Sequence, residues 1–193
     1  MNKTGRIKTE KDHGKGSLMS EKTACSDPAN GQENGKPVSE SCVIVSQVMQ
    51  PSDANPAGNV HGGTIMKLID TAAGVVAVRH SRCNAVTASV DRLDFHHPAF
   101  IGDLLILSAS LNMTGKTSME IGVRVEAETL MSGKRRHIAS AYLTYVAIDK
   151  NLKPRMIPPV IAETDEEKRR NREAQARRKA RLAEKQFEKE SGR

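Results

Sequence analysis

The chain has 193 residues, of which 37% are hydrophobic and only 3% aromatic, with no tryptophan. This length allows one domain plus tails, and the scarcity of aromatic residues predicts an aliphatic core. The formal net charge of +7 does not predict nucleic-acid binding, because acidic and basic residues are interleaved in the most charged stretch.

Cysteine usage and hydropathy narrow the class of protein further. Cys25, Cys42 and Cys83 have no CxxC spacing and an odd count, which argues against a disulfide framework or a zinc site. No apolar run approaches the roughly 20 residues of a membrane span. The N-terminus also lacks the apolar region of a signal peptide. We therefore expect a soluble, cytoplasmic protein without metal or membrane span.

Composition divides the chain into three segments. The first 42 residues are rich in Lys, Gly, Ser, Asn and Glu, and such a segment buries too little apolar surface to offset the entropy of ordering. We expect residues 1–42 to be a disordered tail, residues 43–160 to form the folded domain, and residues 161–193 to be a charged C-terminal helix or tail.

Within the domain, apolar patterns predict one strand, one helix and four further strands, in that order. The β-branched run from Cys42 to Met49 predicts the first strand, and apolar residues fall on one helical face over residues 63–79. Four strand-like runs follow, beginning at Asn84, Asp103, Thr117 and His137. The third alternates apolar and polar residues, as a strand with one wet face does. The fourth is nearly all apolar or small, so we expect it in the interior of the sheet.

This order of elements predicts an α+β architecture with a helix packed on an antiparallel sheet. A central helix of about 17 residues wrapped by one curved sheet is the hotdog fold. One sheet covers only one side of such a helix, so we expect a dimer or higher oligomer to cover the other.

The C-terminal segment is highly charged. From Glu163 to Lys189 it contains good helix formers, and Leu182 and Phe187 are its only large apolar residues. Without an apolar stripe there is little to bury. This composition predicts an exposed, poorly packed helix.

A single carboxylate, Asp70, lies within the predicted central helix. At about 100° per residue it falls on a second helical surface of small and apolar residues, among them Met66 and Gly74. A carboxylate in such surroundings is costly unless it has hydrogen-bond donors or a chemical task. Asp70 is therefore either a structural group bonded to a neighbouring element or a catalytic acid.

The loop NPAGNVHGG precedes this helix and offers groups for catalysis. Gly62 and Gly63 lie at the helix N-terminus, where free backbone N–H groups favour negative charge, so they are candidate oxyanion donors. Asn55 adds a side-chain amide, while His61 is more often a turn or packing residue than a base. A capped glycine turn requires the same residue types, so both interpretations stay open. The set suits acyl transfer to water without a Ser–His or Cys–His pair.

Three segments, in order, resemble the hotdog acyl-CoA thioesterases of the YciA and brain acyl-CoA hydrolase type: DANPAGNVHGGTIMKLIDTAAG, DRLDFHHPAFIGDLL and GKTSMEIGVRVEAE. The resemblance covers residues 43–159. It implies hydrolysis of fatty acyl-CoA to free acid and CoA, without a cofactor. The family's active-site positions match Asn55 and Asp70, contributed by different subunits or repeats. Further copies of the chain, as a dimer or trimer of dimers, are the other expected partners.

The resemblance also points to residues that bind CoA. The related segment in the family lies along the CoA, which makes Lys116 the best candidate for a phosphate contact, beside Thr117 and Ser118. Arg92 and Arg155 are weaker candidates, because an exposed cation is often only solvated surface. Whether Asp70 activates water as a general base or attacks the thioester itself stays open.

Two alternatives belong to other functional classes. Asp91 and His96 have the spacing of the Asp–His pair in hotdog enoyl-CoA hydratases, but here the pair closes a strand after the helix instead of lying where the helix begins. A non-catalytic acyl-CoA-binding or scaffold protein is disfavoured because Asn55 and Asp70 are both present. The thioesterase remains the leading hypothesis.

Overall fold

The structure, a computed structural model, describes residues 35–192, so most of the predicted N-terminal tail lies outside the described residues. The elements follow one another in this order: β1 (Lys36–Pro37), β2 (Val43–Val48), α1 (Gly62–Ser81), β3 (Asn84–Phe95), β4 (Leu104–Thr114), β5 (Ser118–Thr129), β6 (Lys134–Ile148), β7 (Val160–Ile161) and α2 (Asp165–Glu190). Two 3₁₀ turns, Val38–Glu40 and Pro51–Asp53, flank β2.

The α+β hotdog prediction is confirmed. Five strands form one antiparallel sheet in the order β2–β4–β5–β6–β3, and α1 packs along one face of it. Strand β6 lies in the interior of the sheet, as predicted. It begins at Lys134 instead of His137, because residues 134–136 also pair with β5.

The core between α1 and the sheet is aliphatic, as the composition predicts. Its buried side chains come from the inner face of α1 and from β4, β5 and β6, and they include Ile65, Ile69, Ala72, Val76, Leu107, Ile121, Val125 and Leu143. Full burial of one large aliphatic side chain contributes about 1.5–3 kcal/mol. This core fixes α1 on the sheet and so positions Asp70.

Strand β3 is an irregular edge of the sheet. It is 12 residues long, and its pairing with β6 shifts between Thr87 and Ser89 and again between Val90 and Arg92. An edge strand of this length is a template for pairing with another chain. Apolar side chains exposed by 46–49% lie on the outer side of α1 and on the side of β3 that faces α1: Met66, Val78 and Val90. We call these three residues the α1–β3 face.

Residues 36–42, predicted as part of the disordered tail, are ordered in the structure. The Lys36 amide donates to the Pro159 carbonyl oxygen at 2.8 Å, and β1 pairs with β7 in parallel. Val38 and Ser41 are buried. The prediction was wrong here because these partners lie more than a hundred residues away or at the end of α1, where composition does not reveal them.

His80 joins this N-terminal segment to the end of α1. The ring is fully buried, with Nδ1 at 3.1 Å from Ser41 Oγ and Nε2 at 2.9 Å from the Pro158 carbonyl oxygen. Because a carbonyl only accepts, Nε2 carries the hydrogen and Nδ1 accepts from the hydroxyl. Burial lowers the pKa of His80, so the fold favours the neutral ring.

This buried ring should make stability depend on pH. The unfolded chain takes up a proton near pH 6.5, so the stability from neutral His80 is present above that pH and is lost as pH falls toward the lower folded-state pKa. We expect the wild-type Tm to drop more between pH 7 and pH 5 than that of His80→Gln, which cannot be protonated. His97→Gln, at an exposed ring, serves as the control and should keep the wild-type slope. Equal slopes for His80→Gln and wild type would contradict the assignment.

Helix α2 packs on the face of the sheet opposite α1, so the prediction of a poorly packed helix was wrong. Ala174 is buried, and Asn171 Nδ2 donates to the Asn112 carbonyl oxygen at 2.8 Å. The docking contacts are polar and charged instead of apolar, which is why the sequence shows no stripe. No helix in residues 35–192 is long and apolar enough to cross a membrane.

Two arginines of α2 form ion pairs with carboxylates on the sheet. Arg177 donates to Glu120 at 2.6 Å, and its guanidinium lies 3.9 Å from the Tyr142 ring centroid. Arg181, one turn later, pairs with Asp91. Glu120 is only 3% exposed, so Arg177 neutralises a carboxylate that is buried between α2 and the sheet.

Candidate active site

Asp70 lies in α1 where the helix meets β3 and β6. Its Oδ1 atom accepts hydrogen bonds from Thr87 Oγ1 at 2.6 Å and from the Tyr145 hydroxyl at 2.7 Å. Thr87 and Tyr145 are directly opposite each other in the β3–β6 ladder, so the two donors approach Asp70 side by side. No residue of the described chain donates to Oδ2. One carboxylate oxygen is therefore held and the other is free.

The surroundings of Asp70 are both apolar and open. The side chain is exposed in the single chain, beside the half-exposed Met66. Gly74, one helical turn later, lies beside the Tyr145 ring, where an added Cβ would make an ordinary contact of 3.6 Å with the hydroxyl. A second molecule or chain can therefore reach the carboxylate.

Tyr145 is a buried hydroxyl donor. Its side chain is 2% exposed, and burial, together with the neighbouring Asp70 carboxylate, raises the pKa of the phenol. The hydroxyl thus stays protonated and keeps donating at neutral pH. Sequence reasoning missed Tyr145 and Thr87, because their contact with Asp70 depends on the pairing register of two strands.

The loop before α1 holds Asn55 in a tight turn. Asn55 Oδ1 accepts from the backbone amides of Ala57 at 2.9 Å and Asn59 at 3.2 Å. The backbone amide of Asn55 donates to the Asn59 carbonyl oxygen at 2.7 Å. The Nδ2 group has no acceptor among residues 35–192. The side chain is thereby oriented as a free hydrogen-bond donor.

The two glycines at the start of α1 differ in what their amides do. Gly63 N–H donates to His61 Nδ1 at 2.9 Å, so His61 is the N-cap and the predicted oxyanion role of Gly63 is not supported. A Cβ at Gly63 would lie 3.0 Å from the same ring nitrogen, which explains the glycine. Gly62 N–H has no acceptor within the described residues and remains the candidate oxyanion donor.

Asn55 and Gly62 line a cavity of about 290 Å³. Phe95 and His96 form its other wall, and Asp70 is not among the lining residues. The single chain therefore brings Asn55 and Gly62 together but leaves Asp70 apart from them. This separation is what the resemblance implies for residues contributed by different subunits.

The predicted CoA contacts fall into two places. Ala147, two residues beyond Tyr145 on β6, donates to the Thr117 carbonyl and accepts from the Arg155 amide, both at 2.9 Å. The turn carrying Lys116 and Ser118 thus lies beside Arg155 at one end of β6. The fifth predicted contact, Arg92, lies elsewhere and pairs with Asp94 at 2.5 Å.

The hydratase pair does not form. Asp91 accepts from Ser89 at 2.5 Å and from Thr144 at 2.7 Å, besides its ion pair with α2. The His96 ring instead lies against the His137 ring in a tilted arrangement, with a centroid distance of 4.6 Å. The described residues contain no cluster of three or more His, Cys, Asp or Glu arranged to bind a metal ion.

Comparison with known proteins defines the class. The thioesterase superfamily matches residues 57–134. A Bacillus subtilis protein named as the uncharacterized acyl-CoA thioester hydrolase YkhA is 41% identical over 128 residues, 66% of this chain and 74% of that protein. The chain therefore belongs to the hotdog acyl-CoA thioesterase family.

A mammalian relative is similar over a larger part of the chain. The cytosolic acyl coenzyme A thioester hydrolase of Mus musculus is 41% identical over 150 residues, which cover 77% of this chain but 39% of that protein. The chain thus matches about two fifths of that relative's length.

Two solved structures share the fold. An apo-hexameric acyl-CoA thioesterase has a TM-score of 0.76 and 38% identity, covering 78% of this chain and 96% of its own. The acyl-CoA hydrolase of Staphylococcus aureus, in complex with butyryl-CoA, CoA and CoA disulfide, has a TM-score of 0.76 and 34% identity, covering 82% and 96%.

Three further structures of the Staphylococcus aureus enzyme carry alanine in place of an asparagine, an aspartate or a threonine. In that enzyme the asparagine precedes the aspartate by 15 positions and the threonine follows it by 17. The same intervals separate Asn55, Asp70 and Thr87 in this chain.

Proposed function

We propose that this protein hydrolyses fatty acyl-CoA thioesters to the free acid and CoA. The observation that carries the proposal is the Asp70 carboxylate, with Oδ1 held by Thr87 and Tyr145 and Oδ2 free for chemistry. The spacing of Asn55, Asp70 and Thr87 along the chain supports the proposal, because the asparagine, aspartate and threonine replaced in an acyl-CoA hydrolase have the same spacing.

In the proposed reaction Asp70 acts as a general base. Oδ2 takes a proton from water, the water oxygen bonds to the thioester carbonyl carbon, and the carbonyl π electrons move to oxygen. Gly62 N–H donates to that oxyanion at the N-terminus of a helix, where negative charge is favoured. When the oxyanion collapses, the C–S bond breaks and the CoA thiolate takes the proton from Oδ2. An acyl group found on Asp70 after acid quench would instead make it the nucleophile.

We propose that two copies of the chain complete each site. In the single chain the cavity with Asn55 and Gly62 does not include Asp70, and the α1–β3 face is an exposed apolar edge suited to pairing. Asn55 of the partner subunit then orients the water or the carbonyl. The hexameric relative supports an assembly of this kind, and the cytosolic name of the mouse relative supports a cytoplasmic location.

We propose that the CoA phosphates bind at the turn of Lys116, Thr117 and Ser118, together with Arg155. These groups flank Ala147, two residues from Tyr145, so a CoA whose thioester lies at Asp70 would extend along this end of β6 with its pantetheine arm between the thioester and the phosphates. Arg92 is a poorer candidate, because a phosphate would have to displace Asp94.

Free-thiol release tests the proposed function and its composite site in one set of samples. We expect the wild-type protein to release CoA from acyl-CoAs, with the preferred chain length found by a substrate series. Asn55→Ala and Asp70→Ala chains, each inactive alone, should recover up to about half the wild-type rate when co-expressed and co-purified on two tags. The reason is that one site of each mixed pair regains both groups.

The control is a mixture of Asp70→Ala with Asp70→Asn chains, in which no site has the carboxylate and no recovery is expected. A wild type without thiol release would refute the function. Release by the wild type without recovery in the mixture would place both residues in one subunit's site.

A further inference from the structure

The Tyr145 hydroxyl contacts two different oxygens of Asp70, and the reaction proposed above assigns no role to this pair of contacts. Its hydroxyl lies 2.7 Å from Asp70 Oδ1 and 2.8 Å from the Asp70 backbone carbonyl oxygen. One buried hydroxyl thus contacts the side chain and the backbone of the same residue. Among the described residues, Thr87 is the one other donor to the Asp70 side chain.

We propose that Tyr145 is a positioning residue that determines which Asp70 oxygen reacts, an inference that rests on the proposed function. The two oxygens of a carboxylate are chemically equivalent until their surroundings make them different. Here both donors, Thr87 and Tyr145, bind Oδ1, so Oδ2 alone faces the open side.

The surroundings make Tyr145 a fixed reference for that carboxylate. Strand β6 lies between β5 and β3, and Tyr145 pairs with Met119 on one side and Thr87 on the other. The two neighbouring strands hold the backbone of Tyr145. The contact between its hydroxyl and the Asp70 carbonyl oxygen fixes the position of the hydroxyl along α1. Thr87, by contrast, lies on the edge strand β3, next to one of its shifts in register.

The chemistry of the hydroxyl suits this role. The raised pKa of Tyr145 keeps the phenol protonated and donating throughout turnover. It therefore does not compete with Oδ2 for the proton taken from water. A hydrogen bond to an ionised acceptor is stronger than one between neutral groups. Losing it leaves Thr87 as the one remaining donor to Oδ1 among the described residues, so the Asp70 side chain rotates more readily about its last bond and presents either oxygen.

The sequence provides its own matched control, because the chain contains only two tyrosines, Tyr142 and Tyr145. They stand on opposite faces of β6, and the Tyr142 ring contacts Arg177 of α2. Tyr145→Phe and Tyr142→Phe each remove one phenolic hydroxyl. Only the first variant removes a donor to Asp70.

We expect Tyr145→Phe to lower kcat for acyl-CoA about tenfold while KM stays within about twofold, and Tyr142→Phe to keep the wild-type kcat. In an Asp70→Asn background, Tyr145→Phe should lower the residual rate no further, because its effect passes through the carboxylate. Wild-type kcat in Tyr145→Phe, or an equal fall in both backgrounds, would overturn the proposal. Asp70→Asn with full activity would remove the catalytic role of Asp70 and this proposal with it, whereas only a wild type without thiol release would overturn the proposed function.

A second measurement covers the case in which Tyr145→Phe does not fold. In the Tyr142→Phe chain, uniform 3-fluorotyrosine labelling places fluorine at Tyr145 alone and makes that hydroxyl a stronger donor without changing its shape. We expect kcat to stay near that of the unlabelled Tyr142→Phe chain, because the donor is retained, and the ¹⁹F resonance to move on Asp70→Asn. A ¹⁹F resonance that Asp70→Asn leaves unchanged would overturn the positioning role.

Discussion

Asp70→Asn should lower kcat for acyl-CoA hydrolysis by about 10²–10⁴-fold, the usual range for loss of a general base. The asparagine oxygen can still accept from Thr87 and Tyr145, so the local structure survives. The amide nitrogen that replaces Oδ2 cannot take a proton from water. Thiol release under saturating acyl-CoA gives kcat, and a thermal melt checks the fold.

Asp165→Asn is the matched control for this substitution. Asp165 is fully exposed at the start of α2, so the same change of charge should leave kcat at the wild-type value. If Asp70→Asn retained kcat within threefold, Asp70 would be a structural carboxylate that only ties α1 to β3 and β6.

Arg177→Ala should lower the free energy of unfolding by about 3 kcal/mol, because removing one partner of a buried ion pair leaves the other charge uncompensated. Glu120 would keep only the Asn112 amide, at 3.1 Å. Urea denaturation of the purified oligomer measures the change through the midpoint at constant m.

Arg169→Ala provides the comparison on the same helix. Its ion pair with Glu173 is about half exposed, so its loss should cost less than about 1 kcal/mol. Adding Glu120→Gln to Arg177→Ala should restore much of the lost stability, since the buried charge is then gone. If Arg177→Ala and Arg169→Ala cost the same, α2 would be the loosely held helix that the sequence predicted.

The fold could be predicted because hydrophobic periodicity is strong in the domain. Helix α1 and β3 to β6 each carry a long apolar pattern, and their predicted bounds differ from the structure by only a few residues. Asp70 could be found because a lone charge in such a pattern is conspicuous. Asn55 needed the family resemblance, since an asparagine before a proline is common in turns.

The rest of the site depends on contacts between distant parts of the chain. Tyr145 reaches Asp70 across 75 positions, through a register that no local pattern specifies. Arg177 reaches Glu120 across 57 positions, and a pair of single charges leaves no periodic signal. Gly63 was misassigned because the sequence does not show that the His61 ring would take its amide hydrogen.

The irregular pairing of β3 has a consequence for how relatives should be aligned. In a regular strand Thr87 and Ser89 would point to the same face, but the shift between them turns Thr87 toward Asp70 and Ser89 toward Asp91 under α2. Ala88 is thus the extra residue that places Thr87 and Ser89 on opposite faces of the sheet. In an aligned homologue with a gap at this position, the residues that match Thr87 and Ser89 would no longer point to the faces they occupy here, even where every flanking residue is identical.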